Sequence, residues 1–409
     1  MDSPPAHIAL FIRSLAGSGA ERMTANLARG LAERGHRVDL VLARRIGPFL
    51  GEVPDSVRIV DLGSPSVLHT LPLLWRAGGD FAALLPVLAN PHAPRVLGSI
   101  TRLADYMRRE RPDVLLSALD YGNIAAVIAR DLAGVPLRLV LGQRCHFTSD
   151  VLNARKARVR KLGPLVRRFY PRADAVIAVS QGVADDLVAA VNLPPERVTA
   201  VYNPVVGPDI AEKAAQPIDH PWFAEGAPPV VLGVGKLKPQ KDFTTLLHAF
   251  AKLRAQRLAR LIILGEGEQR GELEQLAQTL GIGGDVALPG FVENPFPYMA
   301  RASLFVLSSR FEGLPGVLIQ ALACGCPSVS TDCPSGPAEI LDNGRYGPLV
   351  TVGDAEGLAQ AMADTLAAPL PKEVLRERAA FFSTGRAADN TLDVLLGSST
   401  ADQLRCQPT

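Results

Sequence analysis

Two lysines and one glutamate carry the clearest chemistry in this sequence. Glu312 lies in the loop after the apolar run Ala302–Leu307, and Lys236 and Lys241 follow a second run, Val230–Val234. Short apolar runs of this kind predict buried parallel strands. Two ammonium groups in the loop before a helix suit a diphosphate, because each supplies charge-assisted hydrogen bonds and the helix end adds N–H groups. The alternative is a pair of surface lysines without a ligand.

The segment around Glu312 predicts a loop, a short helix and a turn. After Pro315 the apolar residues recur at helical spacing, Gly325 stands where a helix ends, and Pro327 prevents continuation. Gln320 then lies two turns along this helix. The loop at the carboxyl end of a parallel strand is where open α/β sheets bind ligands, and the helix N-terminus can hold an anion. The alternative is an ordinary βα unit with one exposed glutamate.

The first half of the chain opens with a predicted strand, His7–Ile12, followed by a helical pattern. Gly17 and Gly19 stand in the turn between them, where the missing side chain lets the backbone approach a ligand closely. A dinucleotide site is the rival interpretation. Its Gly-x-Gly-x-x-Gly spacing is absent, because the third position is Arg22.

Strand and helix patterns alternate along both halves of the chain, with a proline-containing linker after Asn203. This alternation predicts an α/β protein of two doubly wound, Rossmann-like domains facing a cleft. We expect an N-terminal domain over residues 1–205, a C-terminal domain over residues 206–373 and a final helix over residues 374–396.

Composition and charge narrow the functions to consider. The 409 residues are 47% apolar and 21% charged, as in globular proteins, and predict two domains. Residues 1–205 hold 26 basic and 18 acidic residues, so we expect the first half to meet an anionic partner. The N-terminus has no basic n-region, and the five cysteines show no repeated pair spacing. These features predict a reducing, cytoplasmic location.

The segment Asp150–Arg172 carries eight basic residues interleaved with apolar ones. A basic amphipathic segment can lie on an anionic membrane surface, which would place the protein peripherally on the inner face of the membrane. The alternative is a solvated helix face. Nucleic acid is not expected as a partner, because aromatic residues are not interleaved with the charges.

The sequence around Glu312 resembles the signature of the retaining nucleotide-sugar glycosyltransferases of family four (GT4), which have the GT-B fold. The family has a glutamate, seven residues and a second glutamate, followed by Ala and a turn of small residues. Here Phe-Glu-Gly-Leu-Pro at 311–315 supplies the first glutamate, and Ile-Gln-Ala-Leu-Ala-Cys-Gly-Cys-Pro at 319–327 has Gln320 in place of the second. The resemblance covers most of the chain.

The resemblance implies roles for residues in both halves. It implies that Glu312, Lys241 and His146 are the catalytic residues, with His146 facing the sugar carbon that reacts. It implies that Lys236 stands where the family has an arginine. The residues that it implies for the donor site are Gly17, Gly19, Lys236, Lys241, Gly265, Phe291, Val292, Glu312, Gly313, Leu314, Pro315 and Gln320. The final helix is implied to pack back on the first domain.

The activity implied is transfer of a sugar from a nucleotide diphosphate to an acceptor hydroxyl, with retention of anomeric configuration. The default donor is a UDP-hexose or UDP-N-acetylhexosamine, and the acceptor a sugar or lipid-linked glycan of cell-surface polysaccharide or glycolipid assembly. Residues 64–98 predict a helical hairpin on the acceptor side or a peripheral helix pair. No Asp-x-Asp carboxylate cluster follows a predicted strand, so we expect no metal, and no cofactor besides the nucleotide-sugar substrate.

Gln320 is the main departure from the family pattern. An amide offers one acceptor oxygen where a carboxylate offers two, so the loss of charge assistance toward the donor ribose costs about 1–2 kcal/mol. Two alternatives therefore stay open. One is a binding or scaffold protein that kept the fold without turnover, and the other is a different GT-B enzyme, such as a sugar-nucleotide epimerase or a phosphorylase.

Overall fold

Two separate parallel sheets organise the chain. A computed structural model describes residues 5–17, 19–63, 79–88, 94–154 and 157–397. The chain divides into one compact unit of Met1–Pro204 with Thr384–Thr409 and a second of Val205–Ser383. The first unit contains the strands β1 (His7–Ile12), β2 (Arg37–Leu42), β3 (Val57–Asp61), β4 (Val114–Ala118), β5 (Arg138–Gln143), β6 (Ala175–Ala178) and β7 (Val198–Ala200).

The first sheet has the strand order β3-β2-β1-β4-β5-β6-β7, and every pairing is parallel. All six residues of β1 are buried, because helices cover both faces of the sheet. Ile8, Leu10 and Ile12 pack into one core, and Ala9 and Phe11 into the other. Successive side chains of a strand point to opposite faces, so one short apolar run supplies both cores.

The helices of the first unit connect these strands on the two faces. They are Gly19–Ala32, Gly79–Leu88, Ile100–Glu110, Asp120–Ala133, Phe147–Leu152, Ala157–Arg160, Leu162–Phe169, Gln181–Val191 and Thr384–Leu396. Helix Gly19–Ala32 buries Met23, Leu27 and Leu31, which recur every four residues. Helix Asp120–Ala133 ends at Gly134, whose left-handed φ of 63° places its N–H on the carbonyl of Arg130.

The second unit repeats the arrangement with six parallel strands. They are β8 (Val230–Val234), β9 (Arg260–Leu264), β10 (Val286–Gly290), β11 (Leu304–Leu307), β12 (Ser328–Thr331) and β13 (Leu349–Val350), in the order β10-β9-β8-β11-β12-β13. The helices are Ile210–Ala215, Phe243–Gln256, Arg270–Thr279, Phe296–Arg301, Gly316–Ala323, Pro337–Ile340, Ala355–Ala367 and Lys372–Ala380. The prediction of two doubly wound α/β domains is confirmed.

The structure differs from the sequence prediction at the C-terminus. One helix was expected over residues 374–396, but Lys372–Ala380 and Thr384–Leu396 are separate helices. Phe382 lies between them, and its carbonyl accepts hydrogen bonds from the N–H groups of Val205 and Val206, so it cannot continue the helix ladder. Lys372–Ala380 packs within the second unit, and only Thr384–Leu396 packs on the first.

The sequence prediction also differs from the structure at strand β3, and it can be compared only in part over residues 64–98. The sequence analysis did not identify β3, because only Val57 in it is fully buried and no apolar run marks an edge strand. Within residues 64–98 the structure describes helix Gly79–Leu88 and residues 94–98. Residues 64–78 and 89–93, where the predicted hairpin or helix pair would continue, lie outside the described residues.

Candidate active site

Each sheet has a point at which the strand order reverses direction. In the second unit it lies between β8 and β11, and in the first unit between β1 and β4. Ligands of open α/β sheets bind in the crevice outside the carboxyl ends of the two strands that flank such a point. The loops after β8 and β11 contain Lys236, Lys241 and Glu312, and the loop after β1 contains Gly17 and Gly19.

Lys241 and Glu312 form an ion pair in the second unit. The ammonium Nζ of Lys241 lies 2.6 Å from the carboxylate Oε1 of Glu312, and the two side chains are only 15% and 10% exposed. The hydroxyl of Ser309 donates to the same Oε1 at 2.6 Å. The carboxylate is thus held in one orientation by a cation and a hydroxyl group, and the two side chains predicted to act together are in direct contact.

The loops after β8 and β11 are bonded to each other at several points. The N–H of Arg310 donates to the carbonyl of Gln240 at 2.8 Å, and the Gln240 amide donates to the carbonyl of Phe311 at 2.8 Å. The hydroxyl of Ser308 donates to the carbonyl of Lys241 at 2.8 Å. Asp242 caps helix Phe243–Gln256 through the N–H of Thr245. These contacts fix the positions from which Lys241 and Glu312 project.

Gly265 has a structural requirement of its own. Its φ is +144°, and an added Cβ would lie 1.9 Å from the carbonyl oxygen of Gly235. A side chain at this position would therefore clash with the loop that follows β8 and displace it. The predicted role of Gly265 beside the nucleotide stays a prediction, but the close packing of the two loops explains why a glycine is needed there.

Gly313, Leu314 and Pro315 lead into helix Gly316–Ala323 and are buried. No side chain caps the N-terminus of this helix. Gln320 lies in the helix and is 7% exposed, and among the described residues its side-chain amide has no hydrogen-bond partner. The amide of Gln320 and the uncapped helix N-terminus therefore keep hydrogen-bonding capacity that a ligand could use.

Lys236, Phe291 and Val292 are predicted donor-site residues that do not take part in the ion pair. Lys236 is exposed in the loop after β8, and within the described ranges it forms no ion pair. Phe291 is 70% exposed and Val292 half-buried in the loop after β10, the edge strand two positions from β8. Two strand spacings amount to about 10 Å, a distance that suits a base at one end of a nucleotide and phosphates at the other.

The first unit contains the other predicted residues. Gly17 has a φ of +112°, Gly19 begins helix Gly19–Ala32, and both are exposed in the loop after β1. His146 follows β5 and caps helix Phe147–Leu152, because its Nδ1 accepts from the N–H of Ser149 at 3.3 Å. The same Nδ1 lies 3.4 Å from a carboxylate oxygen of Asp186. Its cap role is structural, and its predicted catalytic role stays a prediction.

Sequence reasoning missed a polar cluster at the carboxyl ends of β4 and β5. Asp120 follows β4, and Gln143 ends β5. The hydroxyl of Tyr170 lies 3.1 Å from Asp120 Oδ1 and 3.0 Å from Gln143 Oε1, and the amide of Asn123 donates to it at 2.8 Å. Asp120 occupies the position in the first sheet that the Glu312 loop occupies in the second. The buried apolar run Val114–Ala118 just before it is the sequence signal that could have identified this position.

Burial controls the electrostatics of this cluster. Burial, together with the negative charge of Asp150, raises the pKa of Asp120 to about 6, and hydrogen bonds from Tyr170 and Gln143 offset only part of that rise. Burial also lowers the pKa of Arg144 to about 10. Within the described ranges no carboxylate lies close enough to Arg144 to form an ion pair, and its Nη1 donates to Asn203 at 2.8 Å.

The basic segment Asp150–Arg172 does not present an apolar face to solvent along helix Leu162–Phe169. Leu162, Leu165, Val166 and Phe169 are buried in the core. Arg168 and Arg172 form ion pairs with Asp80. Leu152, which is 77% exposed, and the side chains of Arg160, Lys161, Arg167 and Arg168 lie at the surface. The apolar residues of this helix fold into the protein, so only its basic side remains to meet an anionic membrane surface, and that contact stays a prediction.

The described residues contain neither a cluster of possible metal ligands nor a helix suited to cross a membrane. Among the residues with described positions, no three His, Cys, Asp or Glu side chains are grouped closely enough to bind a metal ion. Across the same residues, every helix is too short or too polar to span a bilayer. The expectation that transfer needs no metal stays a prediction.

The sequence matches two family profiles in turn. Residues 17–206 match the profile described as Glycosyltransferase Family 4, and residues 228–368 match the profile described as Glycosyl transferases group 1. The chain is also 31% identical over 399 residues to the N-acetylgalactosamine-N,N'-diacetylbacillosaminyl-diphospho-undecaprenol 4-alpha-N-acetylgalactosaminyltransferase of Campylobacter jejuni, covering 95% of this chain and 99% of that one. The chain therefore belongs to glycosyltransferase family four.

A second relative supports this assignment, and a solved structure shares the fold. The lipopolysaccharide core biosynthesis glycosyltransferase LpsE of Rhizobium meliloti is 37% identical over 150 residues, which are 37% of this chain and 43% of that protein. The crystal structure of Anabaena Alr3699/HepE in complex with UDP-glucose has a TM-score of 0.72 at 21% identity, covering 96% of this chain and 99% of that one. The fold is GT-B, and the protein is a glycosyltransferase.

Proposed function

We propose that the protein transfers a hexose or N-acetylhexosamine from a UDP-sugar to a lipid-linked glycan, with retention of anomeric configuration. One observation carries the proposal: the ion pair of Lys241 with Glu312 at the strand-order reversal of the second sheet. The leaving group of such a transfer is a diphosphate. Developing negative charge on it is stabilised by a preorganised cation, here the Lys241 ammonium.

The ion pair also explains how one site serves both parts of the donor. When a diphosphate accepts hydrogen bonds from Lys241, the carboxylate of Glu312 keeps the donor hydroxyl of Ser309 and gains freedom to accept from the sugar hydroxyls. The uncapped N-terminus of helix Gly316–Ala323 adds N–H groups that suit an anion. These are the two functions that the resemblance implies for the pair.

The relatives support a particular choice of donor and acceptor. The Anabaena protein was solved with UDP-glucose, and the Campylobacter relative is named for an acceptor on diphospho-undecaprenol. We therefore expect a uridine donor and a polyprenyl-diphosphate-linked or lipopolysaccharide acceptor, with peripheral contact to the cytoplasmic face of an anionic membrane. Exposed Leu152 and the surface arginines and lysine of the basic segment, such as Arg160 and Lys161, support that contact.

The donor site is tested by nucleotide binding. Isothermal titration with UDP and with UDP-glucose, UDP-galactose and their N-acetylamino counterparts compares wild type with Lys241→Ala and Glu312→Gln. Lys241→Ala should weaken UDP binding about tenfold to hundredfold, because a charge-assisted hydrogen bond is lost. Glu312→Gln should retain UDP affinity but abolish transfer. Lys252→Ala, which removes an exposed cation of helix Phe243–Gln256, is the control and should bind UDP as wild type does.

Gln320→Glu provides a variant of opposite sign in the same titration. Restoring the second carboxylate should strengthen UDP binding by about 1–2 kcal/mol, because a ribose hydroxyl then donates to a charged acceptor. UDP binding to Lys241→Ala at wild-type affinity would contradict the donor-site assignment. Assays with and without EDTA, and the anomeric proton coupling in the product, check metal independence and retention.

A further inference from the structure

The cluster at the carboxyl ends of β4 and β5 has hydrogen-bonding capacity that the protein itself does not fill. The single hydroxyl hydrogen of Tyr170 lies within reach of two acceptors, Asp120 Oδ1 and Gln143 Oε1. It can serve only one of them at a time. While Asp120 is ionised, the carboxylate and the amide oxygen compete for this hydrogen, and a further donor would relieve the competition.

Neighbouring buried atoms also lack partners. The Oδ1 of Asn123, whose amide nitrogen donates to Tyr170, has no hydrogen-bond partner among the described residues, and the residue is fully buried. The hydroxyl of Ser117 in β4 and the Nε of Arg144 after β5 are also buried and have no hydrogen-bond partner among the described residues. Buried polar groups are nearly always hydrogen-bonded, so several exceptions in one cluster indicate a ligand or ordered water.

The backbone beside Asp120 is strained. Leu119 has a φ of +72°, in the left-handed region that a branched side chain rarely adopts. This conformation turns the chain sharply from β4 into helix Asp120–Ala133 and places Asp120 in the first turn, where it is half-buried. Strained residues of this kind persist where the surrounding structure holds them, and they concentrate at functional sites.

The mixture of unfilled donors and acceptors defines the class of ligand. A hydroxyl group both donates and accepts, so it can serve an acceptor such as Asp120 and a donor such as Arg144. A phosphate only accepts, and the carboxylates of Asp120 and Asp150 would repel it. The cluster is therefore suited to a polyhydroxylated neutral group, which is a sugar ring.

We propose that Asp120 binds a hydroxyl group of the acceptor glycan, with Tyr170 and Gln143 holding its carboxylate in place. Asp120 follows β4, one of the two strands that flank the strand-order reversal of the first sheet, as Glu312 follows β11 in the second sheet. The assignment of this ligand to the acceptor rests on the proposed function. The presence of a sugar-hydroxyl site in the first unit can be tested without it.

The test is direct binding of simple sugars. Saturation-transfer NMR measures binding of the methyl α-glycosides of glucose, galactose, N-acetylglucosamine and N-acetylgalactosamine to the full chain. Asp120→Asn keeps the shape of the side chain and removes its charge. Asp131→Asn, an exposed position on the same helix that pairs with Arg172, is the matched control. Binding of at least one glycoside should weaken about tenfold in Asp120→Asn and stay unchanged in Asp131→Asn.

Titration of Asp120 gives a second measurement that a purely structural role would not change. The titratable groups that act on Asp120 are Asp150 on helix Phe147–Leu152 and Tyr170 after helix Leu162–Phe169. Because a protonated carboxyl no longer accepts as a charged group, wild-type glycoside binding should weaken as the pH falls through about 6. Asp120→Asn should show no such change over the same interval.

Three results would overturn the proposal. They are equal glycoside affinity in wild type and Asp120→Asn, equal losses in both asparagine variants, and no binding of any of the four glycosides to wild type. UDP binding distinguishes failure of the Asp120 proposal from failure of the proposed function. Asp120→Asn should bind UDP as wild type does, whereas failure of wild type to bind any uridine nucleotide would contradict the donor assignment alone.

Discussion

Two aspartates of the first unit differ in how well their carboxylates are supplied with hydrogen-bond donors. Asp39, in β2, is fully buried and accepts hydrogen bonds from His7 Nε2 at 2.8 Å, from Arg58 Nε at 2.8 Å and from Tyr106 at 2.6 Å. Burial alone would raise its pKa, but the donors outweigh burial and lower the pKa to about 2. Asp120 has one phenol, one amide and a neighbouring carboxylate, and its pKa rises to about 6.

The number of hydrogen-bond donors around each carboxylate, and its position in the sheet, distinguish a structural role from a ligand-binding one. Asp39 pairs with His7, at the amino end of β1, and its ionised form has a sufficient set of donors. Asp120 follows the carboxyl end of β4, where open α/β sheets bind ligands, and the donors around its ionised form do not outweigh burial and the charge of Asp150. A satisfied carboxylate contributes to the fold, whereas an unsatisfied one at the ligand edge costs stability and is available for a substrate.

The largest effect is expected at Asp39. Asp39→Ala should lower the free energy of unfolding by about 3–5 kcal/mol, because it leaves Arg58 and Tyr106 without their buried acceptor. Urea denaturation measures the change. UDP binding by the folded fraction should stay as in wild type. A loss below about 1 kcal/mol would show that the network around Asp39 is no more valuable than a surface pair.

Asp120→Asn should have the opposite sign. Because the folded-state pKa lies above the ordinary value of 3.8, ionisation of Asp120 removes stability as the pH rises from 3.8 through about 6. The asparagine variant avoids this loss and should be more stable than wild type by about 1–3 kcal/mol at neutral pH. Urea denaturation at several pH values gives the difference between the two proteins, which should shrink below the ordinary pKa.

Asp39 has the reverse pH dependence, which provides a comparison within the molecule. Its folded-state pKa is lowered from 3.8 to about 2, so its contribution is present above 3.8 and is lost as the pH falls through about 2. The stability difference between wild type and Asp39→Ala should therefore be constant near neutral pH and shrink in acid. The same pH dependence for both aspartates would contradict the distinction between them.

Two tyrosine variants compare the hydroxyl groups that donate to the two aspartates. Tyr106→Phe should cost about 1.5–3 kcal/mol, because its hydroxyl donates to a charged carboxylate. Tyr170→Phe should cost about 0.5–1.5 kcal/mol, because its hydroxyl hydrogen is shared between Asp120 and Gln143. Thermal denaturation of both variants ranks them. A larger cost for Tyr170→Phe would mean that the cluster at Asp120 supports the fold as strongly as the one at Asp39.

Much of the fold follows from local sequence patterns. Apolar runs identified β1 and β8 with their observed bounds, and helical spacing of Met23, Leu27 and Leu31 identified the first helix. The runs are readable because parallel strands are buried on both faces. The edge strand β3 lacks such a run, and the break at Phe382 depends on N–H groups of Val205 and Val206, far away in the chain.

The sequence by itself also determined the family and the donor-site candidates, because Glu312 and Lys241 stand in loops whose position after a strand is a local property. The tertiary structure was needed to bring their side chains to 2.6 Å from each other. It also makes the pKa of Asp39 fall and the pKa of Asp120 rise from the ordinary value. A pKa depends on burial and on charges brought together across the fold. Neither is present in the order of residues along the chain.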